Sequence, residues 1–168
     1  MRVTLRPVRV MDLDVFDRER TTPEGTGEFQ WFGHRTSHSL RREFAENGLL
    51  GHDSGRLTID ADGQPGGWVT WWMNSWGPDA TSWCWTIGIC VFADFRGKGA
   101  GSEAQRQLVA YLFAHTRAER VQSFTDAGNF AEQRALEKAG FTREGTLRHA
   151  QWRDGRWHDQ VLFSAIRP

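Results

Sequence analysis

The stretch DFRGKGAGSEA, Asp94 to Ala104, follows an apolar run and leads into a segment of helical period. Gly97, Gly99 and Gly101 alternate there with Arg96, Lys98 and Ala100. The N–H groups of a helix's first turn have no intrahelical partner and carry partial positive charge. Glycines leave that backbone bare, so that anionic oxygens can approach the amides closely. Arg96 and Lys98 add charge at the rim. The pattern is that of a pyrophosphate cradle. A P-loop is excluded, because no Lys-Ser/Thr pair follows the last glycine. A dinucleotide fingerprint can be forced as Gly99-x-Gly101-x-x-Ala104, but too little chain follows for a large doubly wound sheet. A tight strand-to-helix turn without a ligand is the remaining alternative.

Working outward, Trp83 to Val91 reads as a strand. Its odd residues Trp83, Trp85, Ile87, Ile89 and Val91 form a large apolar face; Cys84, Thr86, Gly88 and Cys90 form a small one. Downstream, Ala104, Leu108 and Leu112, with Val109 and Phe113, repeat with helical period. RVQSFT is a short strand, and Asn129 to Ala139 a second helix closed by Gly140. Two further strands flank Asp154-Gly155, a type I′ hairpin signal that pairs Arg153 with Arg156 and sets Trp152 opposite Trp157. Upstream, VTLRPV opens the chain as a strand, Met11–Glu19 is a short acidic helix, and TTPEGTGEF is a loop. Ser37–Asn47 is helical, with Gly48 as its C′ residue. The strands GRLTIDADG and QPGGWVTWWM meet at Asp62-Gly63, another I′ turn. The order predicts a mixed α/β (α+β) fold with one sheet, as a single domain over residues 1–168.

Lys plus Arg and Asp plus Glu number 21 each, so no global field favours nucleic acid or an anionic membrane. The sequence has no long apolar run for a membrane span and no apolar leader. Cys84 and Cys90 lie about 20 Å apart along one strand at ~3.3 Å per residue, too far for a disulfide. They read as core residues in a reducing, cytoplasmic setting. His34 and His38 lack a third ligand, so no metal is expected.

Arg96-x-x-Gly99-x-Gly101 after an apolar strand resembles the acyl-CoA signature of the GNAT acetyltransferases. The segment RVQSFTDAGNFAEQRALEKAGFTREGTLRHAQWRDGRWHDQVLF resembles the C-terminal half of that family's Rim-like branch. The resemblance implies a mixed, mostly antiparallel central sheet with flanking helices and a parallel strand pair that splays apart. It implies acetyl-CoA between the Trp83–Val91 and Val121–Thr125 strands. The pantetheine arm would pair with the free backbone of Ile89, Cys90 and Val91, where one N–H polarises the thioester. The pyrophosphate would lie on Gly97, Lys98, Gly99, Ala100, Gly101 and Ser102 beside Arg96, with Asn129 against the cofactor. The implied activity is direct N-acetyl transfer to a primary amine, on a peptide N-terminus or a small molecule, by a monomer or homodimer. An acyl-CoA sensor with little catalysis is the alternative.

The family pattern often has a serine as general acid in the turn after the asparagine, where this chain has Glu132. Thr86 stands where a glutamate is common. Glu132 is therefore a candidate acid or base, although Asn129 at the N-cap with Glu132 at N3 also reads as a capping box. Asp126, at a strand end near the cleft, is a second candidate. The acceptor is expected against EFQWFGHR, through Trp31 and Phe32, and against His149 on the last hairpin. An aromatic pocket with a few acids suits a cationic amine.

Overall fold

The computed structural model describes residues 1–168. The strands are β1 (Val3–Pro7), β2 (Ser54–Ala61), β3 (Gln64–Ser75), β4 (Trp83–Val91), β5 (Arg120–Asp126), β6 (Thr142–Arg153) and β7 (Arg156–Ile166). The helices are α1 (Val10–Arg20), α2 (Pro23–Thr26), α3 (His38–Asn47), α4 (Ala100–His115) and α5 (Phe130–Lys138). All seven strands form one sheet in the order β1-β2-β3-β4-β5-β7-β6. Every neighbouring pair is antiparallel except β4 and β5. The single mixed sheet is as the element order predicts, and its one parallel pair is as the resemblance implies. No helix is long and apolar enough to cross a membrane.

Apolar residues cover both sheet faces. On one, Trp71, Trp85, Ile87 and Phe163 pack against Leu108 and Leu112 of α4 and Leu136 of α5. On the other, Trp68, Cys90 and Phe92 pack against Leu13 and Phe16 of α1 and Leu40 of α3. The alternation of β4 assigns its two faces to these two cores. Helix α1 is anchored by Asp12, whose buried carboxylate accepts from Arg6, the Arg9 amide and Thr58.

The turns follow local chemistry. Asp62 and Gly63 (φ 51° and 87°) and Asp154 and Gly155 (φ 50° and 74°) sit in the left-handed region, as I′ hairpins require. Trp152 and Trp157 pair across the second hairpin with ring centroids 5.4 Å apart. One departure lies in TTPEGTGEF, read as a loop, which contains α2. Thr22 caps it by accepting from the Gly25 amide, and Pro23 stands at its first turn, where a missing N–H costs nothing.

Candidate functional site

The parallel pair β4–β5 holds together only at Trp85 with Val121 and Thr86 with Gln122. Beyond Thr86 the strands part. In a parallel ladder every second residue turns both backbone groups toward the same neighbour, so Ile87, Ile89 and Val91 face the gap. Side chains cap their three carbonyls. Ser123 Oγ donates to Ile87 O (3.2 Å), Gln30 Nε2 to Ile89 O (2.6 Å) and Arg96 Nε to Val91 O (2.8 Å). The amides of Ile89 and Val91 meet no strand.

A cavity of about 470 Å³ opens on this edge. The glycine turn forms one wall: Arg96, Gly97, Gly99, Ala100, Gly101 and Ser102 line it together with Ile89, Cys90 and Val91. Gly97 and Gly99 adopt φ of 70° and 84°, and Gly99 is the N-cap of α4. A Cβ on either would meet no atom within 4 Å, so glycine is required there by backbone conformation and not by crowding. The first-turn amides of α4 point at the cavity without side-chain caps.

The two cations of the turn are placed differently from the expected rim. The Arg96 guanidinium also donates to the carbonyls of Glu24 (3.3 Å) and Gly25 (2.7 Å), and so straps α2 to the end of β4. Lys98 is not part of the cavity wall; its Nζ turns back to Asp94 O at 2.7 Å. Charge at the turn therefore comes mainly from backbone amides and the edge of Arg96.

Asn129 and Glu132 line the opposite wall. The Asn129 side chain accepts from the Glu132 amide at 3.2 Å, which makes it the N-cap of α5. The reciprocal half of the expected capping box does not form. Glu132 turns its carboxylate to Gln105 of α4, which donates from Nε2 at 2.5 Å, while the Asn129 amide bonds to Asp126 O. Burial pushes the Glu132 carboxyl up to about 7, against the opposing effect of Gln105. A carboxyl group that exchanges a proton near neutral pH thus faces the cavity.

A second cavity, of about 320 Å³, meets the first at Phe29, Gln30, Ile89 and Asn129. Trp31 and Phe32 line it, with Trp68, Trp72 and Phe124. His149 does not. It lies on the outer strand β6 at a register shift, with φ 50°, and its amide donates to Asp159. The irregularity that removes it from the cavity leaves no signature in the alternation around it.

Asp126 reaches this second cavity, but its carboxylate is committed. Arg153 donates to it at 2.8 Å, both side chains are almost fully buried, and the Gly128 amide donates at 2.7 Å. These hydrogen bonds hold its pKa below the ordinary carboxylate range despite burial. Such a group stays ionised and is a poor proton acceptor at neutral pH. The expected acidic lining is in fact basic: Arg20, Arg35 and Arg56 face the cavity.

Gln30, Ser123 and Gln105 are further residues that sequence reasoning did not single out. Gln30 stands next to Trp31 in the quoted EFQWFGHR, yet no spacing links it to a carbonyl 59 residues away.

A seven-stranded mixed sheet split at one parallel pair, with a glycine-opened helix at the split, defines an acetyltransferase-type fold. The chain belongs to the acetyltransferase (GNAT) domain family, whose model matches residues 2–142. The Vibrio cholerae spermidine N-acetyltransferase, solved in complex with CoA and spermine, superposes with a TM-score of 0.81 at 16% identity, covering 98% of this chain and 95% of that one. Mycobacterium smegmatis RimJ, in complex with CoA-disulfide, gives a TM-score of 0.77 at 23% identity over 98% and 81% of the two chains. The Bacillus subtilis protein named "Probable N-acetyltransferase YjcK" is 33% identical over 82 residues, 49% of this chain and 45% of that protein. This chain thus spans about half of that relative.

Proposed function

We propose that this protein transfers an acetyl group from acetyl-CoA to a primary amine, by direct attack within a ternary complex. The observation that carries the reading is the split between β4 and β5. Its free edge at Ile89–Val91 faces the same cavity as the bare glycine turn at the start of α4. A pantetheine-like arm fits the edge, and a pyrophosphate fits the turn. The CoA complexes of the two superposed proteins support the assignment, and their names support placement among the N-acetyltransferases.

The chemistry divides between the two cavities. The acceptor nitrogen attacks the acetyl carbonyl carbon, a C–N bond forms, the C–S bond breaks, and the amine proton leaves to water. A free N–H at the β4 edge stabilises the oxygen charge as it develops. The departing thiolate needs a proton, and a thiol has a pKa of about 8.5. Glu132, with its carboxyl near 7, is positioned on the cofactor side to supply one. Cys90 is not a relay for a covalent acetyl-enzyme: burial pushes its thiol up to about 12, so the nucleophilic thiolate is scarce. Gln30 holds Ile89 O and must release it before a ligand backbone can pair there.

Calorimetric titration with CoA and with NAD tests the reading, followed by thiol release from acetyl-CoA over an amine panel. Saturable CoA binding, no NAD binding and amine-dependent thiol release are expected. Binding of NAD alone would overturn it.

A further inference from the structure

The second cavity carries an unbalanced charge. Arg20 ends α1, Arg35 lies in the segment after α2, and Arg56 lies on β2, yet all three line one space of about 320 Å³. None of them forms an ion pair; Glu43 acts on Arg56, and Asp17 on Arg20, only through space. Arg35 leans over the Phe32 ring at 5.5 Å and Arg56 over the Trp68 ring at 5.3 Å, contacts that position a guanidinium without cancelling its charge. The Nη1 of Arg56 is buried and has no hydrogen-bond partner. A buried charged donor left unpaired is costly, and such an atom in a cavity wall marks the place of an acceptor group.

The surrounding acids do not fill that place. Asp17 is bonded to Arg41 and Asp126 to Arg153, and Glu43 of α3, which acts on Arg56 through space, makes no hydrogen bond to it. The crowding is felt by the cations themselves. Arg56 is pushed down to about 10, first by burial and then by Arg20, while burial and Arg35 lower Arg20. An anion between them relieves both effects.

We propose that the amine acceptor of this enzyme also carries an anionic group, a carboxylate or phosphate, which Arg56 binds with Arg20 and Arg35. This rests on the acetyl-transfer reading above, and specifies the class of acceptor. The sheet register supports the geometry: Arg56 pairs with Thr70, and Thr70 with Gly88, next to the Ile89 edge. Arg56 thus begins two strand spacings, roughly 10 Å, from the split strand. The aromatic rings of Trp31, Phe32, Trp72 and Phe124 accommodate an apolar body between the acceptor's two ends. Polyamines do not suit the site, since three uncompensated arginines repel a second ammonium group.

The experiment uses matched acceptors: L-phenylalanine against L-phenylalaninamide, O-phosphoethanolamine against ethanolamine, and spermidine. CoA affinity is measured in parallel by calorimetry. For the pairs, kcat/KM is expected to favour the anionic member by roughly tenfold to a hundredfold, the range of a charge-assisted hydrogen bond. R56Q is expected to bring that ratio close to one, and R56K to retain part of it, with CoA affinity unchanged. The two pairs separate carboxylate from phosphate recognition. Equal or faster turnover of the neutral members or of spermidine overturns the proposal. So does a CoA-binding enzyme that turns over neither anionic member, or an R56Q variant that retains the preference. Failure to bind CoA is a different result, which removes the underlying acetyl-transfer reading.

Discussion

Two carboxylates near the cleft differ in what surrounds them, and that difference moves their pKa values in opposite directions. Asp126 is held ionised by Arg153 and the Gly128 amide. Glu132 has one neutral partner, Gln105, and titrates near 7. The sequence makes both residues visible, but not their partners, since Arg153 is 27 residues from Asp126 and Gln105 is 27 from Glu132. If Glu132 protonates the leaving thiolate, kcat falls as pH rises above about 7 and the acid loses its proton. E132Q keeps the backbone cap from Asn129 but has no proton to give. Its kcat is expected to drop roughly 10²-fold and to lose that alkaline limb, with CoA affinity little changed. A kcat–pH profile identical to that of the parent removes Glu132 from the mechanism. Asp126→Asn is expected to act through stability instead. It leaves Arg153 buried without its charge partner, a loss of about 3 kcal/mol that denaturant melts will register.

Among the elements, the turn between β4 and α4 is the one whose structure was most legible in sequence. Glycines at alternate positions, an apolar strand before and a periodic helix after were sufficient, and β4 has the bounds its alternation predicts. The caps on the split edge were not legible, because Gln30, Ser123 and Arg96 reach Ile89, Ile87 and Val91 through tertiary placement alone. The same holds for α2, whose single turn lies in a stretch of turn residues. Gly99 and Gly63 give a matched test of the turn. Both have strongly positive φ (84° and 87°), and neither has an atom within 4 Å of a would-be Cβ. Valine at either position incurs the same left-handed backbone strain, upwards of about 1–2 kcal/mol. G63V is expected to lose that stability and retain CoA binding. G99V is expected to remain folded and lose CoA binding at least tenfold, because the branched side chain blocks the approach to the α4 amides. Equal CoA affinity in the two variants removes the cradle.

Across the whole molecule, acidic groups act on stability in opposite directions. Asp12, Asp60, Asp126 and Glu144 all have lowered pKa values. Glu144 is taken to about 2 by Arg120 and Ser164. A carboxyl lowered by folding contributes stability that is complete above its unfolded value, near 4, and is lost as pH falls through its folded value. Glu132 runs the other way. Its folded value of about 7 lies above the ordinary 4.5, so the native state binds more protons than the unfolded chain between those limits. Its ionisation therefore destabilises the fold progressively from about pH 4.5, and the penalty is complete above about 7. These slopes together place the stability maximum near pH 5. For a chain of this size, an ionisation penalty on the order of 2 kcal/mol lowers the melting temperature by about 4–8 °C between pH 5 and 8. E132Q removes the titrating group while keeping a side chain that can hydrogen-bond Gln105. Its melting temperature is expected to stay level from pH 5 to 8 while that of the parent falls. Below pH 4 the two should decline together, because the Arg6, Arg120 and Arg153 pairs are intact in both. Calorimetric scans at unit pH intervals check this; parallel curves throughout would show that Glu132 is not the buried acid.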